Sequence, residues 1–253
     1  MNTIKIFVLA ILFITCCTQI SHADIMINEI AVYLPGLDPE YQDLELKGKP
    51  GEAFSGKLVV VNNTASTNGQ IDYVENVLGN FNANGLLHIE IRDIPDPSFT
   101  VLLVDAFDNQ NAPKQFSLAD NLSIYGITTI YDAVGITKSH NDEKLLMGEA
   151  LGGSNFSYQT DNEYRPIPTY IFRDGHTDKW YSRVNSLYHP TTIFDSDNNM
   201  IGTTPFNHDP ITDTFGYTNP STTTVNPTIP NPEPSTFAMV GLCGLASLIR
   251  RKK

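Results

Sequence analysis

The sequence has few cysteines, and none of them lies in its long central part. The three are Cys16, Cys17 and Cys243, each near one end of the 253-residue chain. The residues between Cys17 and Cys243 therefore contain no disulfide bond and no thiol for catalysis or metal binding. A domain in this region must be stabilised by its apolar core alone, and about 180 residues suffice for one core of ordinary size.

Basic residues are also scarce, since 16 of them face 28 acidic residues and give a net charge of −12. Without Lys5 and the four basic residues at the C-terminal end, 11 basic residues face the same 28 acidic ones, a net charge of −17. Such a surface repels phosphate backbones, so the composition predicts no nucleic-acid partner. It attracts divalent cations, although solubility outside the cell is the simpler explanation of the acidity.

The motifs of common catalytic and zinc sites are missing. No H-x-x-x-H or H-E-x-x-H pattern joins the histidines of the central region, which stand singly at His88, His140, His176, His189 and His208. This spacing predicts no zinc site. No G-x-S-x-G or S-x-x-K motif marks a nucleophilic serine. We therefore expect no enzyme, and an extracellular hydrolase is an alternative for which no catalytic grouping can be named.

Short strand patterns dominate, and no stretch shows a sustained helical period with caps. Residues 24–33 and 41–46 alternate apolar and polar positions, and residues 58–61 are a continuous apolar run typical of a strand buried on both faces. Further strand patterns cover residues 85–91, 100–104, 122–125, 129–134, 170–173 and 179–184. Many short strands at turn-marked intervals predict an all-β sandwich over residues 24–202.

The N-terminal end has the features of a secretory signal peptide. Lys5 gives a weakly positive start, residues 6–14 are apolar, and small residues stand at Ser21 and Ala23. We expect signal peptidase to cleave between Ala23 and Asp24, so that residues 1–23 are removed. The cysteines at 16 and 17 leave a lipoprotein signal as an alternative, although the residues before them are a poor context for lipidation.

The C-terminal end combines a stiff tripeptide, an apolar run and a basic terminus. The tripeptide consists of Pro232, Glu233 and Pro234. It is extended because each proline fixes its own φ and restricts the backbone of the residue before it. Residues 236–249 are uncharged and mostly apolar, but fewer than the roughly 20 that a full membrane span needs. The chain closes with four residues that predict a membrane stop: Arg250, Arg251, Lys252 and Lys253. The pattern predicts a short anchor helix.

This tail resembles the PEP-CTERM sorting signal of Gram-negative bacteria over residues 231–253. The resemblance rests on the Pro-Glu-Pro tripeptide, the adjoining Ser235 and Thr236, the glycine-containing apolar run and the basic end. It implies recognition by a membrane-embedded exosortase, with processing near the tripeptide after transient insertion into the inner membrane. It also implies delivery to the cell surface or the extracellular polysaccharide matrix. An ordinary tail anchor or a buried C-terminal helix is the alternative.

Residues 203–230 predict a flexible stalk. Thr, Asn, Pro and Asp dominate this segment, and large apolar residues are few. Such a composition buries too little surface to offset the entropy lost on ordering. We expect the stalk to separate the sandwich from the membrane anchor, or to become the C-terminus after processing.

The start of the sandwich region resembles the lamin-tail-like domains of bacterial secreted proteins. The resemblance rests on INEI at residues 27–30, DLELKG at 43–48 and LVVV at 58–61, with looser agreement as far as Arg173 and Trp180. It implies an immunoglobulin-like sandwich, in a class of domains that mostly bind, space or cap. The asparagine-rich segment 62–84 and the insert 140–157 depart from that pattern.

Asp195, Asp197 and Asn199 have the i, i+2, i+4 spacing of oxygen ligands in calcium loops. The glycine and the glutamate that would complete an EF-hand loop are missing. The pattern therefore predicts either a calcium site or a solvated turn, and no other cofactor is expected. A second acidic loop, with no better spacing, contains Asp105, Asp108 and Asn109.

Two further groups have both a structural and a functional interpretation. Glu29 and Glu45 are expected to face each other on neighbouring strands, either as a reactive carboxylate pair or, as we favour, as satisfied strand-end or turn-binding carboxylates. For Asn28 and Glu29, we expect hydrogen bonds to backbone groups near the turn after Tyr33. The aromatic residues of the last third either stack on sugar rings or, as we favour, fill a core: Tyr164, Tyr170, Phe172, Trp180 and Tyr181.

The sequence thus predicts an exported, non-enzymatic β-sandwich with a structural or binding role at the cell surface or in the extracellular matrix. Its expected partners are signal peptidase and exosortase during export, the membrane as a transient anchor, and extracellular polysaccharide. A glycan- or calcium-binding adhesin is the alternative.

Overall fold

The structure is a computed structural model that describes residues 25–32, 39–94, 98–137, 140–157, 168–186, 189–197, 199–203, 205–210 and 214–222. Three predicted features lie outside these residues: the signal peptide with its cleavage site between Ala23 and Asp24, the end of the stalk from residue 223, and the sorting signal at residues 231–253. Within the described ranges, no helix is long and apolar enough to cross a membrane.

The described residues form an all-β structure of two sheets. Its strands are β1 (Met26–Ala31), β2 (Tyr41–Lys47), β3 (Ala53–Asn62), β4 (Ile71–Asn80), β5 (Leu86–Arg92), β6 (Ser98–Val104), β7 (Ile130–Thr137), β8 (Ser154–Ser157), β9 (Tyr170–Arg173), β10 (Trp180–Ser186) and β11 (His189–Asp195). Short 3₁₀ helices cover Leu122–Tyr125, His140–Leu145 and Glu149–Leu151. The prediction of an all-β protein is confirmed.

Six strands form one sheet, in the order β11-β10-β9-β1-β2-β5, and five form the other, in the order β4-β3-β6-β7-β8. Neighbouring strands are antiparallel except for β7 and β8, which are parallel. The sequence patterns missed β4, β8 and β11. β4 has a mostly half-exposed or exposed surface because it is an edge strand, so its residues lack the clear alternation that marks a half-buried strand.

The strand predicted at Leu122–Tyr125 is wrong, because these residues form a 3₁₀ helix. The Asn121 side chain caps its start by accepting a hydrogen bond of 3.1 Å from the backbone N–H of Ser123. Gly126 ends it in the left-handed conformation, with φ of 73°. Only the Tyr125 side chain of this helix is buried, whereas a half-buried strand would bury every second side chain.

The main core lies between the two sheets. It contains Ile30 and Leu46 of the six-stranded sheet and Leu58, Leu103 and Val134 of the five-stranded sheet, all fully buried. Because one apolar cluster draws on both sheets, the sheets pack face to face as a sandwich.

The outer face of the five-stranded sheet is also apolar and covered. Val59 and Val61 of β3 are fully buried in a second cluster, with Phe116 and Tyr125 from the segment between β6 and β7. Since Leu58 belongs to the inner cluster, residues 58–61 bury side chains on both faces of the sheet. The prediction of a strand buried on both sides is confirmed.

The outer face of the six-stranded sheet is covered by residues from the predicted stalk. Phe206 and Phe215 pack against the buried Tyr170 and Phe172, and Phe206 lies 5.1 Å from the Tyr181 ring. The prediction of a loose stalk is therefore wrong for residues 205–210 and 214–222. Composition misled it, because two phenylalanines among polar residues are enough to attach this segment to an aromatic face.

A buried ion pair ties the two sheets together at one end of the core. Asp132 of β7 accepts a 2.8 Å hydrogen bond from Nη2 of Arg173 on β9, and the two side chains are only 4% and 14% exposed. The same Asp132 oxygen accepts from the backbone N–H of Ile27, at 2.9 Å. The Arg173 guanidinium also lies 4.2 Å from the Trp180 ring. Asp132, Arg173 and Trp180 thus form one contact between the two sheets.

We expect Asp132→Asn to destabilise the sandwich, because it leaves the Arg173 charge buried without a counter-charge. The loss in free energy of unfolding should be about 3 kcal/mol, measured by urea unfolding. The matched control is Glu52→Gln, which removes one partner of the exposed pair with Lys49 and should cost less than about 0.5 kcal/mol. Equal losses in the two variants would contradict a special role for the inter-sheet pair.

Candidate functional site

Glu29 and Glu45 lie directly opposite each other on β1 and β2, as the sequence predicted. Both residues are fully buried. They lie on the outer face of the six-stranded sheet, where Phe172 of β9 is the other neighbour of Glu29. Two carboxyl groups side by side without water are costly unless hydrogen bonds satisfy them.

Residues 214–219, here called the strap, supply much of that satisfaction. The Thr214 hydroxyl donates to Glu29, and the backbone N–H of Gly216 donates to Glu45. The Asn28 amide donates to the other Glu45 oxygen at 2.7 Å. A turn from Thr214 to Tyr217 presents the donors of Thr214 and Gly216, with Gly216 at φ of 85°. The interpretation of Glu29 and Glu45 as turn-binding carboxylates is thus confirmed, although the turn that they bind is the one at Thr214–Tyr217. The turn expected after Tyr33 lies outside the described residues.

Burial dominates the electrostatics under the strap. It raises the pKa of Glu45 above its usual value, against the Gly216 N–H and the Asn28 amide, which favour the ionised form. It also raises the pKa of the Tyr170 hydroxyl, and the neighbouring Glu29 adds to that effect. The Tyr170 hydroxyl lies 3.2 Å from that of Thr214. These groups form a packed polar layer that holds the strap to the sheet.

A third buried carboxylate, Asp174, fixes the residues that follow the strap. It accepts hydrogen bonds from the backbone N–H groups of His176 (2.9 Å), Thr177 (2.8 Å) and Thr222 (2.7 Å). The hydroxyls of Ser221 and Thr222 donate to it as well, at 2.9 and 3.0 Å. Burial alone would raise the pKa of Asp174, but these donors lower it to about 2. Asp174 is thus an ionised acceptor that holds Ser221 and Thr222, the last described residues of the chain.

The predicted calcium residues surround a tight turn after β11. Oδ1 of Asp195 accepts from the backbone N–H groups of Asp197 (3.0 Å) and Asn199 (2.8 Å), and Oδ2 accepts from the Asn199 amide at 3.1 Å. Asp197 and Asn199 are exposed. Asp195 therefore organises the turn with both of its oxygens. Among the described residues, no group of three His, Cys, Asp or Glu side chains is placed to hold a metal ion, and calcium binding stays a prediction.

The aromatic residues of the last third fill cores. Tyr170, Phe172, Trp180 and Tyr181 are each at most 6% exposed, so the interpretation as core residues is confirmed for these four. Tyr164 lies outside the described residues. A glycan surface built from Tyr170, Phe172 and Tyr181 would require Phe206 and Phe215 to leave the sheet, and Trp180 belongs to the core between the sheets.

A cleft of about 1040 Å³ lies between residues 65–74 and 107–115, with Arg92 at one side. Polar and apolar side chains share its lining, the polar ones including Asn68, Gln70 and Asn109 and the apolar ones including the rings of Tyr73 and Phe107. Sequence reasoning noted the asparagine-rich segment and the acidic loop near Asp108 separately. It missed the cleft because nothing in the pattern indicates that these two segments meet.

Comparisons of the chain with protein-family models, with curated proteins and with solved structures found no match.

We expect Asp174→Asn to flatten the acid side of the stability curve. The folded pKa of Asp174, about 2, lies below the value of about 3.9 in an unfolded chain. Its contribution is therefore present above about pH 4 and is lost as the pH falls through 2. Urea midpoints measured between these pH values should fall less in the variant. Thr222→Val removes one donor but keeps the backbone N–H, so it should give a smaller change in the same direction.

We expect Glu45→Gln to have the opposite pH signature. Because the folded pKa of Glu45 is raised, ionisation above the unfolded value of about 4.3 opposes folding. The wild-type protein should lose stability as the pH rises from that value through the raised folded pKa, and the uncharged variant should lose less. Thermal unfolding at a series of pH values measures this difference. A decline of unchanged steepness in the variant would assign the effect to another group.

Proposed function

We propose that this chain is an exported, non-enzymatic β-sandwich protein with a structural or binding role, sorted by exosortase to the cell surface or the extracellular matrix. The observation that carries this proposal is the order of the segments along the chain. The last described contacts of the sandwich are made by Thr222 with Asp174, and Pro232 of the proposed sorting tripeptide follows ten residues later. A folded body followed at once by a processing motif and an apolar segment fits this route.

The use of the buried acidic residues supports a non-enzymatic role. Glu45, Asp132 and Asp174 each accept hydrogen bonds from the protein's own backbone or side chains. A general acid or base needs access to a substrate proton, whereas Glu45 and Asp174 are fully buried. Their hydrogen bonds hold covering segments and sheets together.

The opening strands support the finer proposal of an immunoglobulin-like, lamin-tail-like sandwich. The INEI strand and the DLEL strand pair with each other in antiparallel register. Glu29 and Glu45, one from each of these segments, are the buried acceptors of the strap. The glutamates of these two motifs thus have a structural role, because they attach the strap to the sheet.

The sorting route is tested by fractionating the native host and reading both ends of the protein by mass spectrometry. We expect a mature N-terminus at Asp24 and a new C-terminus near residues 232–234. A variant with alanine at both Pro232 and Pro234 should keep its tail and stay in the inner membrane, because the stiff tripeptide is lost.

The matched control for that test is Pro227→Ala, which removes a proline outside the tripeptide and should leave processing unchanged. Recovery of the intact chain from the cytosol, with both ends attached, would overturn the proposal. Turnover of a polysaccharide or ester by the purified protein would overturn its non-enzymatic part.

A further inference from the structure

The cleft between residues 65–74 and 107–115 differs from the rest of the chain in its charge. The chain has a net charge of −12, yet Arg92 and Lys114 both line the cleft, and the acidic side chains beside it, Asp72 and Asp108, accept hydrogen bonds from the protein itself. Arg92 is 4.0 Å from Glu75 and therefore partly neutralised. Lys114 is exposed and has no ion-pair partner within the described residues. An anionic group repelled elsewhere would be tolerated at this place.

The polar lining matches a ligand rich in hydroxyl groups. Asn68, Gln70 and Asn109 carry amides, which both donate and accept hydrogen bonds, as sugar hydroxyls do. The ring of Phe107 adds apolar surface of the kind on which a sugar ring packs, whereas the Tyr73 ring already has the Arg92 guanidinium 4.3 Å from its centre. The volume of about 1040 Å³ is at the upper end of the range for ligand pockets, so there is room for several sugar units.

Both walls of the cleft are held in place before any ligand arrives. In one wall, the Asn62 side chain accepts from Thr64 N–H at 2.9 Å and from the Thr67 hydroxyl at 2.6 Å. In the other, Asp108 accepts from the N–H groups of Gln110 and Asn111, at 3.0 and 3.1 Å. A site with such walls loses little conformational entropy on binding.

The walls meet along a backbone seam. Phe116 N–H donates to the Gly69 carbonyl at 2.6 Å, and Ile71 N–H donates to the Lys114 carbonyl at 2.9 Å. Gly69 has φ of 84°, and a Cβ there would lie 2.5 Å from the Phe116 carbonyl oxygen, so the close approach requires glycine. The seam also occupies the start of the β4 edge. A peptide that binds by adding a strand needs a free edge, so the seam favours a sugar over a peptide.

We propose that this cleft binds an oligosaccharide that carries carboxylate groups, with its hydroxyls on the amides, one ring against Phe107 and a carboxylate at Lys114. The proposal deepens the binding role proposed above and rests on that role, but it is independent of the export route. Failure of glycan binding would leave the processing result unchanged, and failure of processing would leave the cleft intact.

The test uses the full chain, purified in a detergent without a sugar headgroup. Binding of oligogalacturonate, of neutral cello-oligosaccharide and of a polyaspartate peptide is measured by isothermal titration calorimetry. We expect the acidic sugar to bind best, and more weakly as salt is added, because salt screens the contact with Lys114. Lys114→Gln should weaken this binding about threefold to tenfold, without affecting any residual binding of the neutral sugar.

A second variant and a control complete the test. Phe107→Leu keeps an apolar side chain in the outer cluster but removes the ring, and should weaken binding of the acidic sugar about fivefold. The control, Lys49→Gln, removes an exposed cation in the turn between β2 and β3 and should leave binding unchanged. Circular dichroism establishes that each variant is folded.

Three results would overturn the proposal. The first is that the acidic sugar does not bind, or binds no better than the neutral one. The second is that polyaspartate binds equally well, which would assign the cleft to acidic peptides. The third is that Lys49→Gln weakens binding of the acidic sugar as much as Lys114→Gln does. Binding would then depend on the net charge of the protein and not on a contact in the cleft.

Discussion

Each sheet of this sandwich carries buried apolar side chains on its outer face as well as on its inner face, and the rest of the structure depends on that constraint. The inner faces cover each other, but the outer faces must be covered by other segments. The outer face of the five-stranded sheet carries Val59 and Val61, and that of the six-stranded sheet carries Tyr170 and Phe172. No disulfide is available between residues 24 and 242 to attach those segments. The chain holds them with aromatic anchors and with buried carboxylates that accept hydrogen bonds, and so the fold has four layers.

The acidic composition is therefore more than a means of staying soluble. Asp174 has five donors around it and Glu45 has two, and their pKa values move in opposite directions. The number of donors decides the sign, because burial disfavours the charge at both sites and only a sufficient set of hydrogen bonds reverses that. The strap and the turn that ends at Thr222 are thus attached by contacts that respond differently to pH.

The sequence predicts features that local patterns encode and misses those that long-range contacts create. The continuous run at residues 58–61 indicates a strand covered on both sides, since no solvated face could carry those side chains. The composition of residues 203–230 indicates a stalk, yet Phe215 and a few backbone donors attach part of it to a sheet. The cleft is a stronger case, because Gly69 and Phe116 are far apart in sequence and only the folded backbone brings them together.

The position of the strap restricts where the chain can be cut without loss of the fold. A cut before Thr214 would remove the donors of Glu29 and Glu45 and leave two fully buried carboxylates opposite each other, which repel when both are ionised. A cut after Thr222 removes none of the described contacts. Processing near residues 232–234, as proposed, falls on the permissive side of this limit. Among the described residues, the contacts that hold the outer layer extend to Thr222, ten residues before Pro232 of the proposed sorting tripeptide.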